Sequence, residues 1–586
     1  MSANGCQKAL MTELYLLLSP HGAVSRSKTE LPFARGGAPV ADLVLRNGVV
    51  FTVDAARSWA TGVAVDKGRI VALARNGDAL DSWIEPRTQV ISLDGRLVLP
   101  GFQDAHVHPP TAGLGLLRCN LHGGEDRSSY LETIAAYAVG HPDEPWILGG
   151  GWAMDAFPGG TPTRDDLDRV VPDRPVFLIN RDGHGGWVNS RALAAAGIDQ
   201  STADPSDGRI ERSGDGEPAG TLQEGAMELV RRVVPPDTVA DYERGLGVAQ
   251  DYLLSLGITA WQDADVTPET EEAYRVLAGR GELIARVVGA MWWERSAGEE
   301  QIEDLIARRD RGSVGRFRPT SVKMMLDGVA ENFTASMLDP YLGAAGQPTS
   351  NCGIDFIDPE RLPRYVTRLD AEGFQVHFHA IGDRAVHNAL DAVAAARQVN
   401  GWSDARHHVS HIQVIAPDDL PRFRQLGVVA NGQPFWACYE GYQTELTIPF
   451  LGPERSARQY PFRSLLRHGA TLAFGSDWSV STPDPLQEME TAVRRVSPDH
   501  RQEQPFYPQE RISPAEAVAA FTAGSAYVNH LDGETGSVEV GKAADLVVLD
   551  RNIFEFKSIG DAAVMATIVN GKVAFLAETW GSGEGD

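Results

Sequence analysis

In the stretch GFQDAHVHPP (101–110), His106 and His108 stand two residues apart, just after the apolar run Leu97-Val98-Leu99-Pro100. Side chains at i and i+2 of an extended strand share a face. Two imidazoles would therefore stand side by side at a strand end, next to Asp104. Such a pair either ligates a divalent metal or is simply a polar strand-to-loop corner, so the other ligand types must be sought elsewhere. They recur at the ends of further short apolar runs: Lys323 in SVKMMLDG, His377 and His379 in FQVHFHAIGD, His407, His408 and His411 in RHHVSHIQV, and Asp477 in TLAFGSDW. Singly, each has an ordinary structural role. A strand-end histidine can be a hydrogen-bonded structural residue, an aspartate can cap a turn, and a lysine can snorkel to a rim. The informative observation is that all the types coincide at strand ends.

The elements that must position these residues follow from apolar patterning. Short β-branched runs alternate with helical stretches, the pattern of a parallel βα architecture. Strands are expected at 99–106, 258–263, 285–291, 321–326, 374–379, 407–412, 427–431 and 471–476, and helices at 239–256, 268–280, 299–309, 360–372, 383–397 and 417–425. These strands favour an α/β fold of the (β/α)8 TIM-barrel type, in which the chemistry gathers at the C-terminal strand ends. About 150 residues separate the first two strands, which leaves room for an insertion after barrel strand one. Towards the N-terminus, 42–56, 62–74 and 90–102 alternate around Asn47-Gly48, Lys67-Gly68 and Asp94-Gly95, and each reads as a hairpin. Strand patterns return at 536–550 and 564–575. A small discontinuous β-sandwich built from both termini is therefore expected. Its parts are 41–98 and 525–577, flanking a catalytic barrel over 99–524 with an insertion at about 112–240, and with tails at 1–40 and 578–586. Pro109 and Pro110 read as an abrupt strand stop leading into the insertion.

The motifs PGFQDAHVHP, VKMMLDG, HAIGDRAV, SHIQVI and FGSDW resemble those of the amidohydrolase superfamily. More narrowly they resemble its YtcJ-like group, amidohydrolase family 3, which includes N-substituted formamide deformylases. The inserted segments GGGWAMDAFPGGTPTRDDLDRVVPDRPVFLINRDGHGGWVNSRAL and GEPAGTLQEGAM and the tail TAGSAYVNHLDGETGSVEVGKAADLVVLD are similar to that group's, and the resemblance covers 41–577. It implies one or two divalent metals, usually zinc, held by His106, His108, Lys323, His379, His411 and Asp477. His377, His407 and His408 compete for two of these places. A lysine ammonium is not a ligand, but an apolar strand depresses its pKa. The resulting neutral amine can add carbon dioxide to give a carbamate that bridges two metals; the alternative is an uncarboxylated Lys323 beside a single metal. Metal coordination brings the pKa of water toward ~7, giving a hydroxide that attacks an amide-type carbon–nitrogen bond. Asp477 would take the proton and pass it to the leaving nitrogen. Asp104 and Asp383 would orient ligands or loops. His184 in RDGHGGWVNS would contact substrate or oxyanion, or else stabilise its loop.

Trp152, Trp187, Trp261, Trp292, Trp293, Phe435 and Trp436 cluster near the expected mouth, and Trp152, Trp261, Trp292 and Phe435 are expected to bind an apolar or aryl group beside a small-molecule amide. Some of the cluster would serve core packing instead. Other readings are cyclic amide hydrolysis, deamination or ester hydrolysis at the same site. The deaminase-like HxxE element has no counterpart in HAIGD. A non-catalytic barrel scaffold predicts gaps in the ligand set, and none is seen. The net charge of −26 excludes nucleic acid and anionic membrane as partners, and the early apolar run 14–18 is too short to span a bilayer. Residues 10–18 include Glu13 and no basic segment or cleavage site accompanies them, so no secretory signal is expected. Four scattered cysteines, Cys6, Cys119, Cys352 and Cys438, indicate neither a disulfide framework nor a thiolate zinc site and suit the cytoplasm. The resemblance points to a homodimer.

Overall fold

Eight parallel strands form one sheet in the computed structural model, which describes residues 40–75, 80–556 and 558–581. They are β1 Phe102–Val107, β2 Ile258–Val266, β3 Arg286–Trp292, β4 Phe317–Met325, β5 Gln375–Ala380, β6 His408–His411, β7 Val429–Gly432 and β8 Thr471–Phe474. Their order in the sheet is their order in the chain, as right-handed βα crossovers demand. β1 and β8 are the sheet's two ends, and they nearly close it. Just past β8, Asp477 N donates to His106 O at 2.8 Å, and Asn431 Nδ2 reaches Ala105 O at 2.9 Å. The expected barrel class is thus observed. Of the expected tail over 1–40, residues 1–39 lie outside the described residues, as do the segment read for a secretory signal and 582–586.

The first strand begins later than its apolar run suggests. Leu97–Pro100 pairs with Val49 and Val50 and, antiparallel, with Leu546–Leu549, so it belongs to the small β-domain. Gly101 alone divides the two strands. That domain is built from both ends of the chain, as expected, but two of its three expected hairpins are not hairpins. Leu43–Arg46 joins the sheet of Gly62–Asp66, Arg69–Ala74 and Gln89–Ser92. Val49–Phe51 joins the sheet of Trp59–Ala60, Leu97–Pro100, Leu546–Leu549, Val564–Val569 and Lys572–Leu576. The turns at Asn47-Gly48 and Asp94-Gly95 reverse the chain between two layers. Only Lys67-Gly68 closes a pair within one sheet, Gly62–Asp66 with Arg69–Ala74. Leu45, Val63, Val98, Leu546 and Val548 fill the space between the layers.

Pro109 and Pro110 do more than stop a strand. They open the helix α1, Pro109–Leu116, where a missing N–H costs nothing and φ is already helical. α1 packs on α2, Val239–Ser255, which Thr238 and Asp241 close with a reciprocal capping box. The chain between them carries a separate sheet whose strands include Ile147–Trp152, Val176–Asn180, Gly185–Val188 and Pro218–Glu224. The α1–α2 approach is close, since a Cβ on Gly113 would lie 1.9 Å from Gly245 O. Gly113→Val is therefore expected to cost about 1–3 kcal/mol by overpacking and to lower the thermal unfolding midpoint. An unchanged midpoint would refute this account of the contact.

Candidate metal centre

The parallel order of the barrel puts the C-terminal ends of β1, β4, β5, β6 and β8 around one mouth. His106 lies within β1 and His108 one residue beyond it; His106 is buried and His108 half-buried. Asp477 follows β8 across the seam. Its Oδ1 lies 2.9 Å from His108 Nε2 and 3.3 Å from His106 Nε2, and the donor atoms of the three residues all fall within 4.8 Å of one another. Lys323, buried on β4, places Nζ 3.3 Å from His106 Nε2. His411 lies at the end of β6 with Nδ1 3.9 Å from Asp477 Oδ2, and its ring centroid is 4.8 Å from that of His106 and 4.5 Å from that of His379. His411 and Asp477 have φ of 77° and 53°. Non-glycine residues hold that left-handed backbone only where their surroundings over-determine it.

This donor set fits a divalent ion on its own chemistry. Each of its deeply buried imidazoles has one nitrogen hydrogen-bonded, and for His106 the other, Nε2, faces Asp477 Oδ1 and Lys323 Nζ, the arrangement by which outer hydrogen bonds orient metal-binding histidines. His106 Nδ1 lies 2.9 Å from Ser410 Oγ, His411 Nδ1 is 2.9 Å from Gln433 Oε1, and His379 Nε2 is 3.3 Å from Gly328 O. Burial above all holds His106, His379 and His411 well below the usual imidazole range, in the neutral form a ligand needs. Burial pulls the Lys323 ammonium down to about 8. Burial also pulls His108 down, but the hydrogen bond and charge of Asp477 outweigh it and hold His108 above its ordinary value. The Asp477 carboxyl is kept well below its usual range: burial acts upward, and the neighbouring histidines outweigh it.

His377 and His408 sit deeper, with ring centroids 4.0 Å apart. His377 Nε2 touches His106 Nδ1 at 2.9 Å and Ser410 Oγ at 2.7 Å, so His377 lies behind His106. His407 pairs with Asp370 at 3.0 Å, away from the centre. Asp104 lies across the barrel seam: Oδ1 accepts from the backbone N–H of His106 (3.0 Å) and Ser476 (3.1 Å), and Oδ2 accepts from Ser476 Oγ at 2.6 Å. Asp383 lies off the centre, where its carboxylate accepts from Leu338 N at 2.8 Å. The carboxylate beside His379 is instead Asp327, with Oδ1 3.6 Å from Nε2, held by the backbone N–H groups of Ile381, Gly382 and Ser336. Its sequence signal was an aspartate ahead of a glycine, four residues past Lys323.

His184 comes to the mouth from the inserted sheet, its ring centroid 5.5 Å from that of His379. Its Nδ1 pairs with Glu224 Oε2 at 2.9 Å. Burial alone would lower the His184 imidazole, but the Glu224 charge outweighs it and lifts it to about 9. Glu224 lies in the inserted segment TLQEGAM, where the residue type alone gave no sign of its partner. Among the expected aromatic residues, Trp152 and Trp261 are fully buried. The Trp152 indole donates to Leu178 O within the inserted sheet's core, and the Trp261 indole to Tyr274 OH in the barrel wall. Trp292 and Phe435 are half-buried, and Trp292 pairs in register with Lys323. Trp436, another of the expected cluster, stacks on His411 with centroids 5.4 Å apart.

Comparison with known proteins adds an independent line. Residues 89–575 match the amidohydrolase family. A curated relative, Protein LONG AFTER FAR-RED 3 of Arabidopsis thaliana, is 34% identical over 91% of this chain and 91% of its own. The N-substituted formamide deformylase of Arthrobacter pascens is 27% identical over 91% of this chain and 98% of its own. Among solved structures, an uncharacterized metal-dependent hydrolase from Pyrococcus furiosus superposes with a TM-score of 0.67 at 26% identity, covering 88% of this chain and all of that one.

The Asp104 clamp makes a direct prediction. Asp104→Ala strands two buried N–H donors, each costing about 1–3 kcal/mol, and loosens the link between β1 and the segment carrying Asp477. Both the denaturant unfolding midpoint and the metal content by plasma mass spectrometry are expected to fall. Wild-type values for both would show that the clamp does nothing.

Proposed function

This chain belongs to the amidohydrolase family and is a metal-dependent amidohydrolase, and from that premise we propose that it cleaves the carbon–nitrogen bond of an N-substituted amide or formamide carrying an apolar or aryl group. The observation that carries the reading is the convergence of His106, His108 and Asp477, three donors from opposite ends of the barrel sheet, within 4.8 Å. His106, His108 and Asp477 would hold the ion, zinc by the chemistry of the donors, with His379, His411 and Lys323 completing a site for one or two ions. A bound divalent ion supplies a water of lowered pKa and a polarised carbonyl.

The protein's own groups supply the rest. Asp477, its Oδ1 turned to His106 and His108, has Oδ2 to accept a proton from the attacking water and to return it to the leaving nitrogen as the carbon–nitrogen bond breaks. His184 faces the mouth and would contact the carbonyl oxygen. Lys323, whose burial leaves a share of neutral amine near neutral pH, could add carbon dioxide through Nζ and shed a proton, giving a carbamate whose oxygens would serve as further metal ligands. Trp436, Trp292 and Phe435 would offer apolar surface to the substituent. The deformylase relative supports this substrate class. The free thiols Cys119, Cys352 and Cys438 suit a reducing compartment such as the cytoplasm. Among the described residues no helix is long and apolar enough to cross a membrane.

The test combines metal analysis, mutation and a substrate panel. The wild type is expected to hold about one or two equivalents of transition metal and to hydrolyse N-aryl formamides such as 4-nitroformanilide in preference to small charged amides. His106→Ala should lose both metal and activity. Asp477→Ala should lose activity by several orders of magnitude and retain more of its metal. Full activity in metal-free wild type would overturn the mechanism, and turnover restricted to small charged amides would overturn the substrate class.

A further inference from the structure

Three chain segments meet at Glu224, and the contact is more elaborate than a surface ion pair requires. Gly185–Val188 and Pro218–Glu224 pair antiparallel, and Glu224 N donates to His184 O at 2.9 Å. The backbone thus sets the two side chains next to each other before they interact. One carboxylate oxygen, Oε2, takes His184 Nδ1 at 2.9 Å. The other, Oε1, accepts from Asn332 Nδ2 at 3.0 Å and Thr334 Oγ1 at 2.7 Å. Both donors are buried and belong to the loop after β4, outside the inserted sheet. Gly328 in the same loop supplies the carbonyl beside His379 Nε2, and a Cβ there would lie 2.4 Å from Glu224 Oε1. Glycine is what allows the carboxylate to come so close. Glu224 itself sits at φ 51°, a backbone that a long side chain keeps only under constraint from its neighbours.

The other end of the imidazole is available. His184 N donates to Asp182 Oδ1 at 2.9 Å, and Nδ1 is taken by Glu224. Among the described residues, Nε2 makes no hydrogen bond. With Nδ1 turned to Glu224, Nε2 lies on the far edge of a ring 5.5 Å from that of His379. We propose that Glu224 is a positioning residue: gripped by Asn332 and Thr334, its carboxylate holds His184 so that Nε2–H donates to the carbonyl oxygen as negative charge develops on it. The inserted sheet then contributes one preorganised donor to a centre otherwise built by the barrel. A donor already aimed at the developing charge needs no reorganisation during the reaction. The inference rests on the hydrolytic reading above, and it adds the groups that fix the donor.

The test uses the metal-loaded full chain with Glu224→Gln, His184→Asn and the double variant. Hydrolysis of 4-nitroformanilide is followed together with calorimetric binding of the phenyl methylphosphonate anion, a tetrahedral mimic. Each single variant is expected to lower kcat by about 10²-fold with a smaller change in KM, to weaken phosphonate binding by a comparable factor, and to leave metal content unchanged. The double variant should be no worse than the singles, because Glu224 acts only through His184. Losses that multiply in the double variant would overturn the proposal, as would wild-type kcat and phosphonate affinity in Glu224→Gln. If Glu224→Gln fails to fold, Asn332→Ala combined with Thr334→Val releases the grip while keeping the carboxylate. That variant should show a smaller loss of the same pattern, and wild-type behaviour would count against the role. A wild type that cleaves no amide would sink the preceding reading, and the phosphonate titration would still decide the role of Glu224.

Discussion

Everything at the barrel mouth depends on the seam between the first and last strands. β1 and β8 lack a continuous ladder between them, and the seam is bridged by a few contacts just beyond β8. The backbone of Asp477 donates to the carbonyl of His106, and the Asp104 carboxylate bonds to the backbone of His106 and of Ser476. A Cβ on Gly475 would lie 2.4 Å from His106 N, so the absence of a side chain there lets the ends meet. Two imidazoles and a carboxylate separated by hundreds of residues become neighbours through this closure. Burial lifts the Asp104 carboxyl to about 7 although the three donors around it act downward.

Around the seam the structure is layered by function. β1, β4, β5, β6 and β8 supply neutral nitrogen, amine and carboxylate at one rim. Behind them His377, His408 and Ser410 replace the branched aliphatic layers that usually fill such a barrel. His377 and Ser410 orient His106 from below, so the polar interior belongs to the same network as the rim. On the opposite side of β1, the small β-domain and α2 enclose the barrel wall. Thr567 Oγ1 donates to Leu254 O at 2.7 Å, and Phe51, Leu97 and Val547 share a continuous apolar core with Phe102 and Leu253.

Much of this was legible in the sequence, for an identifiable reason. Short apolar runs ending in histidine or aspartate carry both the strand signal and the ligand type, so these strand ends could be located from the chain alone, while the choice of His379 over His377 and of His411 over His407 and His408 came only from the family resemblance. What escaped depends on tertiary proximity. Asp327 and Glu224 look like ordinary loop acids until His379 and His184 are placed beside them. Asn47-Gly48 and Asp94-Gly95 specify a tight reversal, which is local, but not whether the reversed strand pairs in the same sheet or crosses to the facing one. Trp152 and Trp261 illustrate the converse: an indole near a site in sequence terms packs inward when an apolar core and a carbonyl or hydroxyl partner are available.

The shared strand at Leu97–Pro100 has a consequence for how the protein comes into being. It runs straight into β1, and its antiparallel neighbour is Leu546–Leu549, near the far end of the chain. During synthesis, the segment that anchors His106 and His108 waits for Leu546–Leu549 before its pairing is complete, and Asp477 follows it by hundreds of residues. Contacts of such long sequence separation form slowly. Until those residues are made, the two histidines of β1 stand without the seam contact from Asp477 that sets them in the finished barrel.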